Sequence, residues 1–191
     1  MAMPLLGAAT GIVEPEQEES PFDLVEREIR GKSFAVLSTV DSKNQPHSTG
    51  IVYVMSPRGE ELEFYVVTQA KSAKVRNLKR NPNVTLVVTF PHHYLRFIPD
   101  STVMIRGVAD LVGLDDEGAQ AAFAQRGRKL DANSEALKGT VVIRIRPSKT
   151  IYCYGVGVGL NQMRKDPTSA RYKVTIPPDR LVKSEHLREA I

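Results

Sequence analysis

Apolar positions recur along this chain with two different spacings. Between residues 20 and 31, Phe22, Val25 and Ile29 share one helical face. Ser20 stands where an N-cap belongs, Pro21 at the first helical position and Asp23 at the positive end, and Gly31 can end the helix. From Ser33 onward the period drops to two and β-branched residues take over. Residues 33–40 and 46–55 read as strands around a turn at 41–45, which makes a hairpin. Ser56-Pro57-Arg58-Gly59 is a further turn signal. Residues 62–68 form a third strand, followed by a short helix with Ser72 as N-cap and a stop at Asn81-Pro82. Strands follow at 84–90 and 102–112, separated by an irregular stretch with His92, His93, Tyr94 and Phe97. An amphipathic helix is expected over 115–126, strands over 140–146, 150–154 and 173–176, and a terminal helix over 179–191. About seven strands in hairpin order with few helices favour a mainly β, α+β protein built on an antiparallel barrel. Residues 1–19, which end in an acidic run, read as a flexible arm, and residues 20–191 as one domain.

The helix after the third strand departs from ordinary patterning. Lys71 precedes its cap and Lys74 lies in its first turn, where the helix dipole disfavours cations. Two lysines against the dipole, with hydroxyls at Thr68 and Ser72, suit a phosphate group. The competing reading is a solvated basic face, since Arg76, Lys79 and Arg80 follow. By spacing alone the solvated face is favoured. Arg76 lies about 200° around the helix from Lys74.

Composition narrows the classes. The 191 residues are 41% hydrophobic and 25% charged, with a net charge of +4 and a pI near 9.2. This mild basicity is compatible with an anionic ligand. The basic run lacks interleaved aromatics, so nucleic acid is not expected. Cys153 is the single cysteine, which excludes an intrachain disulfide and fits a reducing cytoplasm; in its strand pattern it reads as a small packed residue. No apolar run reaches the roughly 18 residues of a membrane span. His47, His92, His93 and His186 are too scattered for a metal site. Gly155-Val156-Gly157-Val158-Gly159 has Leu160 where a dinucleotide fingerprint needs glycine, and reads as a connection.

The middle of the chain, from about Phe34 to Leu111, resembles the pyridoxamine 5′-phosphate oxidase-like flavoproteins, the FMN-binding split-barrel family. The resemblance rests on FAVLSTV, QPHSTGIVYV, LEFYVVTQAKSAKVRNLKRNPNVTLVV and VMIRGVADL. Its most specific part is Thr68-x-x-x-Ser72-x-Lys74-x-x-Asn77-Leu78-x-x-Asn81-Pro82. The resemblance implies a six- to seven-stranded split barrel and an FMN-dependent oxidoreductase acting on an unidentified small molecule. It implies a homodimer with FMN in a groove between subunits. It turns the reading of the basic helix toward the phosphate, with Thr68, Ser72, Lys74 and nearby Lys71 as its holders and Val67 beside them. It lays His47, Ser48 and Thr49 along the flavin ring. The founding oxidases have Ser-Arg-Lys where this chain has Ser72-Ala73-Lys74, so one phosphate contact is missing and Lys71 is placed to replace it. The substrate-gripping Arg-x-His of true pyridoxamine phosphate oxidases is not evident, since Arg180-Leu181-Val182 lacks the histidine. No acid–base residue is assigned; His47 is the nearest candidate. Relatives with a similar helix use a deazaflavin, and other split barrels bind haem or flavin without catalysis.

Overall fold

The computed structural model describes residues 19–91 and 100–182. Helix α1 (Pro21–Arg30) begins as expected: the Asp23 amide donates to Ser20 Oγ at 3.1 Å. Its buried Phe22, Val25 and Ile29 close one end of the core. An antiparallel sheet of eight strands then curls into a split barrel. Its members are β1 (Phe34–Val40), β2 (Pro46–Val52), β3 (Val54–Met55), β4 (Phe64–Gln69), β5 (Asn83–Phe90), β6 (Ser101–Val112), β7 (Thr140–Tyr154) and β8 (Arg171–Thr175). The strand order is β2-β1-β5-β6-β7-β4-β3, with β8 also paired to β7. Helices α2 (Ala73–Leu78), α3 (Glu117–Ala124) and α4 (Leu160–Lys165) are inserted between strands.

Period-two alternation assigns the two sheet faces. Leu37, Phe64, Val66, Leu86, Val103, Ile105, Ile143, Ile145 and Ile151 turn inward and form the barrel core. Full burial of each such side chain contributes roughly 1.5–3 kcal/mol. On the outer side, Val54, Tyr65 and Val142 pack with Ala119, Ala122 and Phe123 of α3.

Two expected elements are divided differently. The single strand expected over 46–55 breaks at Tyr53, which is buried and donates its hydroxyl to the Ile29 carbonyl at 2.6 Å. Before Tyr53 the chain pairs with β1, and after it with β4, so one short stretch carries the sheet from one edge to the other. The strands expected over 140–146 and 150–154 are one continuous strand, β7. Pro147 interrupts the sequence pattern but lies opposite Gly107, where the register with β6 shifts. A bulge accepts a residue that cannot donate to the ladder. Gly107 is required there, because a Cβ would stand 2.3 Å from the Arg146 carbonyl oxygen. The connection after Gly159 contains α4, which the glycine run conceals. The arm at 1–18, the histidines at 92 and 93 and the helix expected toward residue 191 lie outside the described residues, apart from a 3-10 turn at Pro178–Arg180.

Candidate functional site

The β4–α2 junction is built over a few residues. The Ala70 amide donates to the Gly139 carbonyl at 2.9 Å and the Ser72 amide to the Gln69 carbonyl at 3.0 Å, which turns the chain out of β4. Helix α2 then buries Val75, Asn77 and Leu78 and leaves its basic side outward. Arg76, on the far side of the helix from Lys74, donates through Nη1 to the Lys71 carbonyl at 2.6 Å. It braces the turn rather than facing the junction.

Ser72 occupies the N-cap position but does not cap: its hydroxyl makes no bond to the helix. Ser72 Oγ is buried and has no hydrogen-bond partner. Lys74 Nζ reaches back to within 3.5 Å of Thr68 Oγ1. Among the described residues, neither Lys71 nor Lys74 has a carboxylate within ion-pair distance. The first-turn amides of a helix also lack intrahelical acceptors. Two hydroxyls, a half-buried ammonium and these amides therefore converge with no protein anion to satisfy them. A phosphate would satisfy all of them.

Strand β2 supplies a second set. Thr39↔His47 and Leu37↔Thr49 are opposed pairs, and Thr39 and Leu37 face inward, so His47 and Thr49 share the inner side. Thr49 Oγ1 is a second buried hydroxyl without a partner. Ser48 points to the other face, where its Oγ lies 2.8 Å from Ser38 Oγ. The three consecutive residues thus do not present one wall of side chains. Val67 also diverges from its neighbour: Thr68 follows the inward Phe64 and Val66, while Val67 packs with the cluster under α3.

The two sets are joined by residues that the sequence did not single out. Asn77 of α2 is buried and donates from Nδ2 to Thr39 Oγ1 at 3.0 Å, and Thr39 Oγ1 donates to the His47 carbonyl at 3.3 Å. The one sequence signal was an asparagine on the apolar side of α2, between Val75 and Leu78. Asn77→Leu is expected to raise the mobility of α2 against β2. It would expose amides 73–78 to faster hydrogen exchange, with exchange in β6 and β7 unchanged; equal protection of 73–78 in both proteins would refute the link.

Other chemistry-bearing groups have structural roles. Burial pushes the Cys153 thiol up to about 11, against a lowering hydrogen bond with Tyr172, so it remains a thiol at neutral pH. Arg180 is buried and bonds Glu26 at 2.6 and 3.1 Å and the Glu60 carbonyl at 2.6 Å. It is therefore committed to the fold and is not a substrate fork. Among the described residues no group of three or more His, Cys, Asp or Glu side chains converges as a metal site. No described helix is long and apolar enough to cross a membrane.

Residues 23–154 match the family model of pyridoxamine 5′-phosphate oxidase. The chain belongs to this family. The match spans the strand pairs β1–β2 and β5–β6, the β4–α2 junction and the whole of β7. Solved structures agree in fold. The haem-storage protein HutZ of Vibrio cholerae is 20% identical with a TM-score of 0.55, over 69% of this chain and 94% of that one. A candidate pyridoxamine 5′-phosphate oxidase from Listeria innocua is 21% identical with a TM-score of 0.51, over 69% and 95%. General Stress Protein 26 of Bacillus anthracis is 24% identical with a TM-score of 0.50, over 69% and 91%. At these identities the likeness establishes the split barrel alone. No curated protein matches the chain in sequence.

Proposed function

We propose that this family member is an FMN-dependent oxidoreductase that acts on a small molecule as a cytoplasmic homodimer, with FMN between the subunits. The observation that carries the reading is the unpartnered, buried Ser72 hydroxyl beside Thr68 and the unpaired Lys74. Buried polar groups are rarely left without a bond, so an orphan at a family phosphate site favours a bound phosphate. Thr68, Ser72 and Lys74 would hold it, with Lys71 in reach. Thr49, a second orphan, and the backbone of His47 and Ser48 would lie along the ring, and Val67 would contribute only main chain. When bound, FMN supplies the electron transfer, while these residues bind it, orient it and exclude water. The absorption spectrum and mass of the co-purifying molecule test the reading. A flavin spectrum with the mass of FMN supports it. A deazaflavin mass changes the cofactor within the same mechanism. A haem band would move the protein toward the role named for HutZ and overturn the enzymatic reading.

Lys74→Ala is expected to weaken FMN binding about 10- to 100-fold, the range for a hydrogen bond to a charged group. Arg76→Ala acts only through the brace on Lys71 and should cost less. Identical FMN titrations for Lys74→Ala, Arg76→Ala and the parent would refute the phosphate site.

The homodimer has its own motive. Phe34 and Val52 form a cross-strand pair at the edge of the sheet, and each is 55% exposed. Two large apolar side chains side by side on an edge hairpin favour a partner surface. Light scattering at micromolar concentration is expected to give twice the mass of the 21.1 kDa chain. A monomer that still binds FMN tightly would exclude the composite site.

A further inference from the structure

The outer face of β5–β8 carries a cleft of about 790 Å³ that the cofactor reading does not use. Its position follows from register. Val87, Met104, Tyr152 and Lys173 stand opposite one another across four strands. Their neighbours Val103, Ile105, Ile151 and Cys153 are buried in the core, so this row faces outward. The next row aligns Thr102, Tyr154 and Arg171. The cleft thus has an apolar floor of Val87 and Met104, a wall of Tyr152 and Tyr154, and a cationic edge of Arg171 and Lys173. Arg106 adds a third cation: its guanidinium carbon lies 5.1 Å from the Tyr152 ring centroid, and Lys173 Nζ lies 5.5 Å from it.

Charge is unbalanced here. Arg106, Arg171 and Lys173 have no carboxylate within ion-pair distance among the described residues. Asp100 is the single acid among the lining residues. The volume is that of an ordinary small-molecule site. The cleft is separate from the β4–α2 junction within the subunit. Thr68 is on the inner face and pairs with the first half of β7, at Val141, whereas the cleft lies outside its second half.

We propose that this cleft binds a small organic anion with a flat apolar body, the body against Tyr152, Tyr154 and Met104 and the anionic group on Lys173 and Arg171. The apolar floor selects against inorganic anions, which would leave it wet, and the cations select against neutral aromatics. This inference does not rest on the cofactor reading.

The test uses the full-length protein with two fluorescent probes, 1-anilinonaphthalene-8-sulfonate and its uncharged counterpart N-phenyl-1-naphthylamine. The sulfonate is expected to bind saturably at one site per chain, at least about 10-fold tighter than the neutral probe. In the Arg171→Gln/Lys173→Gln double variant its affinity should fall about 10- to 100-fold. Affinity for the neutral probe and for FMN should stay unchanged, and both replaced side chains are exposed, so folding is retained. Equal sulfonate affinity in the variant and the parent would overturn the proposal, as would absence of saturable binding. Stoichiometric displacement of the probe by FMN would also overturn it, since the cleft would then belong to the cofactor. Loss of the probe site as subunits associate would assign the face to the dimer and overturn it too. A protein that binds the sulfonate but no FMN would sink the cofactor reading and leave the cleft standing.

Discussion

Glu26→Gln should remove about 3–5 kcal/mol of folding stability, the cost of breaking one side of a buried ion pair. Glu26 Oε1 accepts from Arg180 Nη2 at 2.6 Å and from Arg30 Nη2 at 2.6 Å and Nε at 2.9 Å. All three side chains are largely buried. The arginines are also tied to main chain, Arg30 to the Ser56 carbonyl at 2.7 Å and Arg180 to that of Glu60. Neutralising the carboxylate leaves two guanidinium groups facing each other in a poorly solvated place. Against a total of roughly 5–15 kcal/mol, that loss is a large fraction. Urea unfolding at pH 7 checks it, and a loss under about 1 kcal/mol would show that solvent reaches the trio. The same site sets a pH dependence. Burial pushes the Glu26 carboxyl up, but the hydrogen bonds and charges of Arg180 and Arg30 outweigh burial and hold it below its ordinary 4.5. A group with a lowered folded value stabilises the fold above its unfolded value and loses that contribution as pH falls through the folded value. Acid unfolding of the parent should therefore steepen below about pH 4.5, and Glu26→Gln should flatten that limb.

The FMN-loaded dimer is expected to be a poor pyridoxamine 5′-phosphate oxidase, with kcat/KM below the ordinary enzyme range of about 10⁴ M⁻¹s⁻¹. Family membership would suggest the opposite. The expectation rests on what is missing for the substrate phosphate. A desolvated dianion needs paired cations, and no Arg-x-His pattern is evident near the end of the chain. The arginine nearest that place, Arg180, is occupied by Glu26 and the Glu60 carbonyl. Arg164 and Lys165, the other cations of that region, sit exposed in the last turn of α4. Steady-state oxidation with oxygen as acceptor decides the matter. A value of 10⁴ M⁻¹s⁻¹ or more would mean that a substrate fork exists elsewhere.

What could be read from the chain alone followed the range of the interactions. Strands β1, β5 and β6 were legible because alternation is a local signal and their faces differ sharply in polarity. Thr68, Ser72 and Lys74 were legible as a group because they lie within one turn and one helical start, and no long-range contact is needed to bring them together. Strand β7 was not, because Pro147-Ser148-Lys149 breaks the pattern and only its opposition to Gly107 shows that the strand continues. The division at Tyr53 was hidden for a similar reason: its hydroxyl bond to Ile29 is set by tertiary packing. The bond from Asn77 to Thr39 spans 38 positions and that from Arg180 to Glu26 spans 154, distances at which spacing carries no information. The outer cleft was half visible. Tyr152 and Tyr154 could be noticed, but their partners Lys173 and Arg171 are fixed only by the β7–β8 register.

The length of β7 bears on how the protein reaches its fold. This one strand holds β6 along its whole course, β4 on its first half and β8 on its second. Thr68 finds Val141 only after some seventy intervening residues have been made. Until residues 140–154 leave the ribosome, β4 and β6 each lack their main neighbour and present bare edges. Assembly should therefore be late and concerted, with a refolding rate in the slow millisecond-to-second range of topologies dominated by distant pairings.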